Sequence, residues 1–195
     1  HPNAATHDAE LPADLAGIAQ LGRRLVDMPP VGGNDVTVLE EANATYAALS
    51  DALRAAQRHI HLEYYIWQPD ETGRLFRDIL IERAHAGVQC RLLLDAVGCW
   101  RLNRSFLQPL TDAGVRVAYF LPVYHFPFRK RWSLHLRNHR KIVVIDGQTA
   151  FMGSQNIGDE YRGRLARLSP WYDTHMRLRG PAAGHVVDGG ARCSP

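Results

Sequence analysis

Lysine is almost missing from this chain. Of its 23 basic residues only Lys130 and Lys141 are lysine, so arginine is the default cation and each lysine asks for a reason. Cysteine is scarce as well. Cys90, Cys99 and Cys193 are odd in number and have no C-x-x-C spacing, which excludes a disulfide framework and a thiolate zinc site. Cys90 lies in an apolar run and reads as a small buried residue. No apolar stretch approaches the roughly 20 residues of a spanning helix. No charged-then-apolar leader follows His1. Internal repeats and low-complexity blocks are absent too.

What is present is ordinary. With 195 residues, 46% hydrophobic and 22% charged, and a net charge of +3, the chain is neither disordered nor fibrous and has the size of one globular domain. The start at His1 and the polar, turn-like end from Gly189 to Pro195 give the expectation of a piece of something longer.

Along the chain, residues 1–30 are rich in Pro and Ala. Leu15, Ile18 and Leu25 there predict one short helix packed on the body, closed by Pro29-Pro30 and Gly32-Gly33. Val36 to Leu39 reads as a strand, and Ala42 to Gln57 as a helix with Tyr46, Leu49 and Leu53 at three- and four-residue steps. His59 to Trp67 alternates, with Ile60, Leu62, Tyr64 and Ile66 on one face and His59, His61, Glu63 and Tyr65 on the other. A helix around Leu75 to Leu80 is stopped by Gly87, and one around Leu102 to Ala113 by Gly114. Between and after them, Val88 to Val97 and Val115 to Leu121 are strands, the first a nearly continuous apolar run suited to a sheet covered on both faces. Arg140 to Ile145 and Thr149 to Met152 form a hairpin through Asp146-Gly147, and Tyr172 to Leu178 is the last strand. The alternation predicts an α/β fold: a mixed, largely parallel central sheet flanked by helices.

The residues with the most chemistry are His139, Lys141, Asp146, Gly153, Ser154 and Asn156, in the pattern H-x-K-x4-D-x6-G-S-x-N. Residues two apart on a strand share a face, so His139 and Lys141 set a nucleophile beside a fixed cation, as a phosphate pocket needs. Gly153 lets the returning strand approach closely, and Ser154 and Asn156 offer a hydroxyl and an amide as further donors. Hairpin pairing through Asp146-Gly147 brings Lys141 and Gly153 to Asn156 to one end of the sheet. Asp146, at the turn, reads as a residue that orients loop backbone. Glu63 and Asp95 sit at strand ends, where they are either pocket or supporting carboxylates or solvated ends. His59 and His61 alternate with Glu63 but lack a further ligand at recognisable spacing, so no metal site is expected. His7, His85, His125 and His185 read as surface or packing residues.

The six-position pattern resembles the signature of the phospholipase D superfamily at every fixed position. The resemblance implies phosphodiester chemistry through a phosphohistidine, without a metal or other cofactor, in which His139 is the nucleophile or, equally, the general acid, and a downstream carboxylate, best matched by Asp173, holds its other ring nitrogen. It also places Asp146 with the catalytic set, and Ser154, Asn156, Glu63 and Asp95 with substrate binding. From about Val31 to Ala183 the chain looks like a bacterial cardiolipin synthase, on stretches such as Leu62-Glu63-Tyr64-Tyr65-Ile66, Arg137-Asn138-His139-Arg140-Lys141 and Asn156 to Tyr161. Gly153-Ser154 stands where many synthases carry two glycines, a form common in hydrolases. Residues 184–195 do not look like the family.

The expectation is therefore one half domain, residues 31–183, of a phosphatidyltransferase or phosphodiesterase acting on glycerophospholipids. Its partners would be an anionic phospholipid such as phosphatidylglycerol, the membrane surface, and a second motif-bearing half. That half is either a missing C-terminal domain or a twofold partner chain, because the chemistry needs two histidines on opposite sides of phosphorus. The resemblance implies that the full-length protein sits at the bacterial cytoplasmic membrane, this stretch itself being soluble. The alternatives are a homodimeric hydrolase or nuclease, and an inactive half domain that binds lipid or nucleic acid. The aromatic and basic run Tyr119 to Trp132 suits a headgroup boundary, a single-stranded nucleic-acid groove or a plain buried loop.

Overall fold

Alternation in His59 to Tyr64 becomes a strand with Ile60, Leu62 and Tyr64 buried and His59, His61 and Glu63 half-buried. The rest of the sequence sorts by the same two periodicities. A computed structural model describes residues 12–26, 30–121, 137–163 and 173–188. Its strands are β1 (Asp35–Leu39), β2 (His59–Tyr64), β3 (Gln89–Asp95), β4 (Arg116–Phe120), β5 (Lys141–Ile145), β6 (Thr149–Gly153) and β7 (His175–Arg179). Its helices are α1 (Ala16–Val26), α2 (Ala42–Arg54), α3 (Glu71–His85), α4 (Arg104–Asp112) and α5 (His185–Asp188), with short 3-10 turns at Ala13–Leu15, Asp159–Arg162 and Pro181–Gly184.

The helices begin and end for local reasons. Asp70 accepts from the Gly73 amide at 2.9 Å to cap α3, and Asn103 accepts from the Phe106 amide at 3.0 Å to cap α4. Gly87 and Gly114, both at positive φ, follow those two helices and turn the chain back towards the sheet.

All seven strands form one sheet in the order β1-β7-β6-β5-β2-β3-β4. Pairings β2–β3 and β3–β4 are parallel and the other four antiparallel. The sheet is mixed and α/β, as its sequence predicts. Five strands run one way and β5 and β7 run against them, so the parallel character is in strand direction more than in pairing. Helical crossovers supply the parallel pairs, whereas the tight turn at residues 146–147 forces β5 and β6 to be antiparallel.

One face carries the main core: Leu49 and Leu53 from α2, Phe76, Ile79 and Leu80 from α3, and Phe106 and Leu110 from α4 pack on Ile60, Leu62, Tyr64, Leu92, Leu94, Val143 and Phe151. The other face is covered more thinly, by Ala183 and Val186 over Val144 and Ala150. α1 forms where a helix is predicted, but it is not packed as predicted. Leu15, Ile18, Leu21 and Leu25 are 41%, 69%, 57% and 73% exposed. Among the described residues no helix is long and apolar enough to cross a membrane.

Register sets up the site. Tyr64 lies opposite Lys141, the next step of the β5–β6 register puts Lys141 opposite Gly153, and Gly153 lies opposite His175. Tyr64, Lys141, Gly153 and His175 thus form one row, at the carboxyl ends of β2 and β3 where open α/β sheets place their ligand crevices.

Candidate active site

His139 sits two residues ahead of β5, in the extended segment that leads into it, and its ring is exposed. Lys141 is the first residue of β5 and is only 3% exposed. Because the strand starts at Lys141, the shared-face argument for this pair does not apply; the contact is made by the lysine reaching back. Its Nζ lies 2.9 Å from His139 Nδ1, 3.4 Å from Nε2 and 2.7 Å from the His139 carbonyl oxygen. Tyr65, just past β2, completes the cluster: its ring is 4.3 Å from the imidazole and 5.2 Å from the ammonium. The Cys99 thiol donates to the Tyr65 carbonyl at 3.3 Å and steadies that turn.

Glu63 and Asp95 both face the segment that carries His139. Asp95, fully buried at the end of β3, accepts from the amides of Val97 and Gly98 at 2.9 Å each and from the Asn138 amide at 3.1 Å, with Arg137 Nη1 3.9 Å away. Glu63 accepts from the Asn138 side-chain amide and faces Arg140 Nη1 at 3.9 Å. Asn138 also accepts from the Arg140 amide at 3.2 Å. This one asparagine therefore ties the segment carrying His139 to β2 and β3. It was missed as a site residue in the motif reading, as were Tyr65 and Arg137; their only signal was membership of the longer stretches around Glu63 and His139.

The remaining predicted residues separate. Ser154 is exposed near the cluster's row and donates to the Thr174 carbonyl at 3.1 Å. Asn156 does not share a face with it. β6 ends at Gly153, so the period of two lapses, and the Asn156 side chain is buried, accepting from the Ile66 amide at 3.1 Å and donating to the Tyr161 hydroxyl at 3.0 Å. Its placement is that of a brace between β2 and the turn at residues 159–162. Asp146 lies at the opposite end of β5, roughly 16 Å along the strand from Lys141. There it accepts from the amides of Gln57, Arg58 and His59 at 2.8, 2.8 and 2.9 Å, away from His139 and Lys141. Asp173, just ahead of β7, makes no hydrogen bond to His139 among the described residues; its charge instead favours the protonated forms of Lys141 and His175.

Burial, helped by the neighbouring Lys141 cation and opposed by Asp95, holds the His139 pKa below the ordinary histidine value. The shift favours the neutral imidazole. Burial likewise lowers Lys141, with Asp173 pulling the other way. His175 is 2% exposed, its Nδ1 has no hydrogen-bond partner, and burial pushes its pKa down to about 4 against the pull of Asp173.

Gly153 is glycine for a steric reason. A Cβ there would lie 2.5 Å from the Thr174 carbonyl oxygen and 2.7 Å from both Cα and Nδ1 of His175. We expect Gly153→Ala to cost about 1–3 kcal/mol by forcing β6 and β7 apart, read as a fall of several degrees in the thermal midpoint. An unchanged midpoint would show that the strands can part freely.

Among the described residues no group of three or more His, Cys, Asp or Glu is arranged to hold a metal ion. His59 and His61, 5.1 Å apart between ring centroids, neighbour the Arg91 cation, and burial lowers the His61 pKa first, with His59 and Arg91 adding to the effect. The run from residue 122 to residue 132 and the pair Trp171 and Tyr172 lie outside the described residues.

An open mixed sheet with an exposed histidine held by a buried lysine at its strand ends defines a class: an α/β domain of the phospholipase D type. The chain belongs to the family described as cardiolipin synthase, PLD-like domain, which matches residues 49–162. It is 45% identical over 163 residues to the cardiolipin synthase of Alkalihalophilus pseudofirmus, covering 84% of this chain and 32% of that protein. To cardiolipin synthase A of Pseudomonas fluorescens it is 38% identical over 169 residues, covering 87% and 34%. The chain thus spans about a third of the length of these relatives. Among solved structures it shares its fold with Nuc of Salmonella typhimurium, a phospholipase D family member, at a TM-score of 0.56 and 15% identity, covering 80% of this chain and 91% of that one. The phosphatidylserine synthase of Haemophilus influenzae superposes at a TM-score of 0.59 and 17% identity, covering 78% and 35%.

Proposed function

We propose that this chain is one catalytic half of a phospholipase-D-type phosphatidyltransferase acting on glycerophospholipids such as phosphatidylglycerol. The observation that carries the reading is the contact between the buried Lys141 ammonium and the exposed His139 imidazole, in a chain of the cardiolipin synthase family. The ammonium holds the imidazole electron pair at Nδ1 until an anion arrives. A lipid phosphate that draws the ammonium protons to its own oxygens releases that pair for attack. The phosphorus–nitrogen bond then forms as the bond to the leaving alcohol oxygen breaks, and an acid on the far side protonates that oxygen. That acid comes from a second half, in the same longer chain or in a twofold partner. An acceptor alcohol attacks the phosphohistidine to complete transfer.

The test is incubation of the chain, alone and with its partner half, with labelled phosphatidylglycerol in the presence of a chelator. Glycerol release together with cardiolipin supports transfer. Phosphatidic acid in its place supports the hydrolase reading that Gly153-Ser154 suggests. Loss of all turnover on adding chelator overturns the metal-free mechanism, and cleavage of DNA but of no lipid overturns the substrate class.

A further inference from the structure

Helix α1 presents an apolar stripe that is exposed and that none of the other described elements covers. Successive steps of about 100° place Ile18, Leu21 and Leu25 within roughly 60° of one another around the helix axis, and they are 69%, 57% and 73% exposed. Leu15, in the turn just ahead, extends the stripe at 41% exposed. The charge on α1 itself is arginine alone, while Asp14 stands in the turn just ahead, next to Leu15. Residues 16–26 contain no acid, and the last turn carries Arg23 and Arg24. By the same steps Arg24 flanks the stripe by about a quarter turn, close enough for its guanidinium to reach around an apolar stem, while Arg23 lies farther round.

We propose that α1 is an interfacial helix, lying in the plane of an anionic lipid surface with Ile18, Leu21 and Leu25 in the acyl boundary and its arginines among the headgroups. The inference rests on the lipid-substrate reading above and extends it, since it holds the domain where its substrate is. Charge favours lipid over protein as the occupant: α1 itself carries Arg23 and Arg24 and no acid, with Asp14 the one acid in the turn ahead, and an apolar stripe flanked by arginine matches a surface that is apolar beneath and negative above. The nearest competing surface in sequence is Val36 and Val38 of β1, which stay 56% and 57% exposed.

The experiment floats the wild-type chain and an Ile18→Asp/Leu21→Asp variant with vesicles of phosphatidylcholine alone and vesicles enriched in phosphatidylglycerol. Wild type is expected to bind the enriched vesicles, less so in high salt, and the variant to bind at least ~100-fold more weakly, from the lost burial of two large side chains. The variant's thermal midpoint and its turnover of a soluble phosphodiester are expected to stay as in wild type. Equal binding by the two proteins overturns the proposal. So does a lowered midpoint in the variant, which would mean that α1 docks on the body, or a lipid-free wild-type dimer that the variant dissolves. Vesicle binding through α1 without any lipid turnover would sink the proposed activity and leave the helix assignment standing. Turnover of detergent-dispersed lipid without vesicle binding would do the reverse.

Discussion

Replacing His139 with alanine is expected to abolish turnover, by at least ~1,000-fold, with no change in thermal midpoint. The two halves of that statement have separate causes. The ring is exposed and its contacts with Tyr65 and the Lys141 ammonium lie outside the hydrophobic core, so truncation leaves no cavity in the core. The loss in rate follows because no other described nucleophile faces the same cation, and residues that act as a unit in covalent catalysis fail together. Lys141→Met should fall nearly as far, since it removes the group that would draw the phosphate in. The pH profile of the active assembly gives a second readout. His139 has a folded-state pKa below the ordinary 6.5 and attacks as the neutral ring, so the rate should rise with pH through that depressed value and be level by neutrality. A rate that rose only above the ordinary value would show an imidazole not depressed by its surroundings. A His139→Ala protein that kept its activity would assign the nucleophile elsewhere.

Much of this is legible in the chain before any coordinates. Alternation in His59 to Tyr64, glycines after α3 and α4, and the Asp-Gly turn between β5 and β6 are local signals, and local signals survive folding. The pairing order is not local. Nothing in Val36 to Leu39 announces that β1 crosses to the far edge beside β7, because that choice depends on residues 140 positions away. The site divides in the same way. His139 and Lys141 are marked by spacing, and Lys141 by its rarity among arginines. Asn138, which bridges Glu63 and Asp95 through the Asn138 backbone and side chain, carries no mark, since its role exists only once β2 and β3 lie side by side. Asn156 misleads for a related reason: it lies three residues past the end of β6, where the two-residue period of a strand no longer holds.

Asp146 is where spacing and geometry part most, and Asp146→Ala is expected to destabilise the domain by about 2–4 kcal/mol while leaving turnover per folded molecule near wild type. Three backbone amides, those of Gln57, Arg58 and His59, point at one carboxylate. Each charge-assisted bond contributes about 1.5–3 kcal/mol in isolation, and the sum is reduced because the site is partly open to water and the amides can rehydrate. The residue also holds a left-handed backbone, φ 54°, that hands the chain from β5 to Gly147. Burial alone would raise the Asp146 pKa, but the three amides outweigh it and hold the value below the ordinary 3.8. The sign of the pH dependence follows. A carboxylate with a depressed folded-state pKa stabilises fully above 3.8 and loses that contribution as pH falls through the depressed value. The gap between wild type and Asp146→Ala should therefore be constant from neutrality down to about pH 5 and close only in stronger acid. His175 accounts for the window between. Its pKa falls from an ordinary 6.5 to about 4, so unfolding takes up a proton in that range and both proteins should lose stability together as pH drops through it. Chemical denaturation across pH reads both effects. A gap that narrowed between pH 6.5 and about 5 would tie Asp146 to His175 and put it back near the strand-end cluster, against the separation seen along β5.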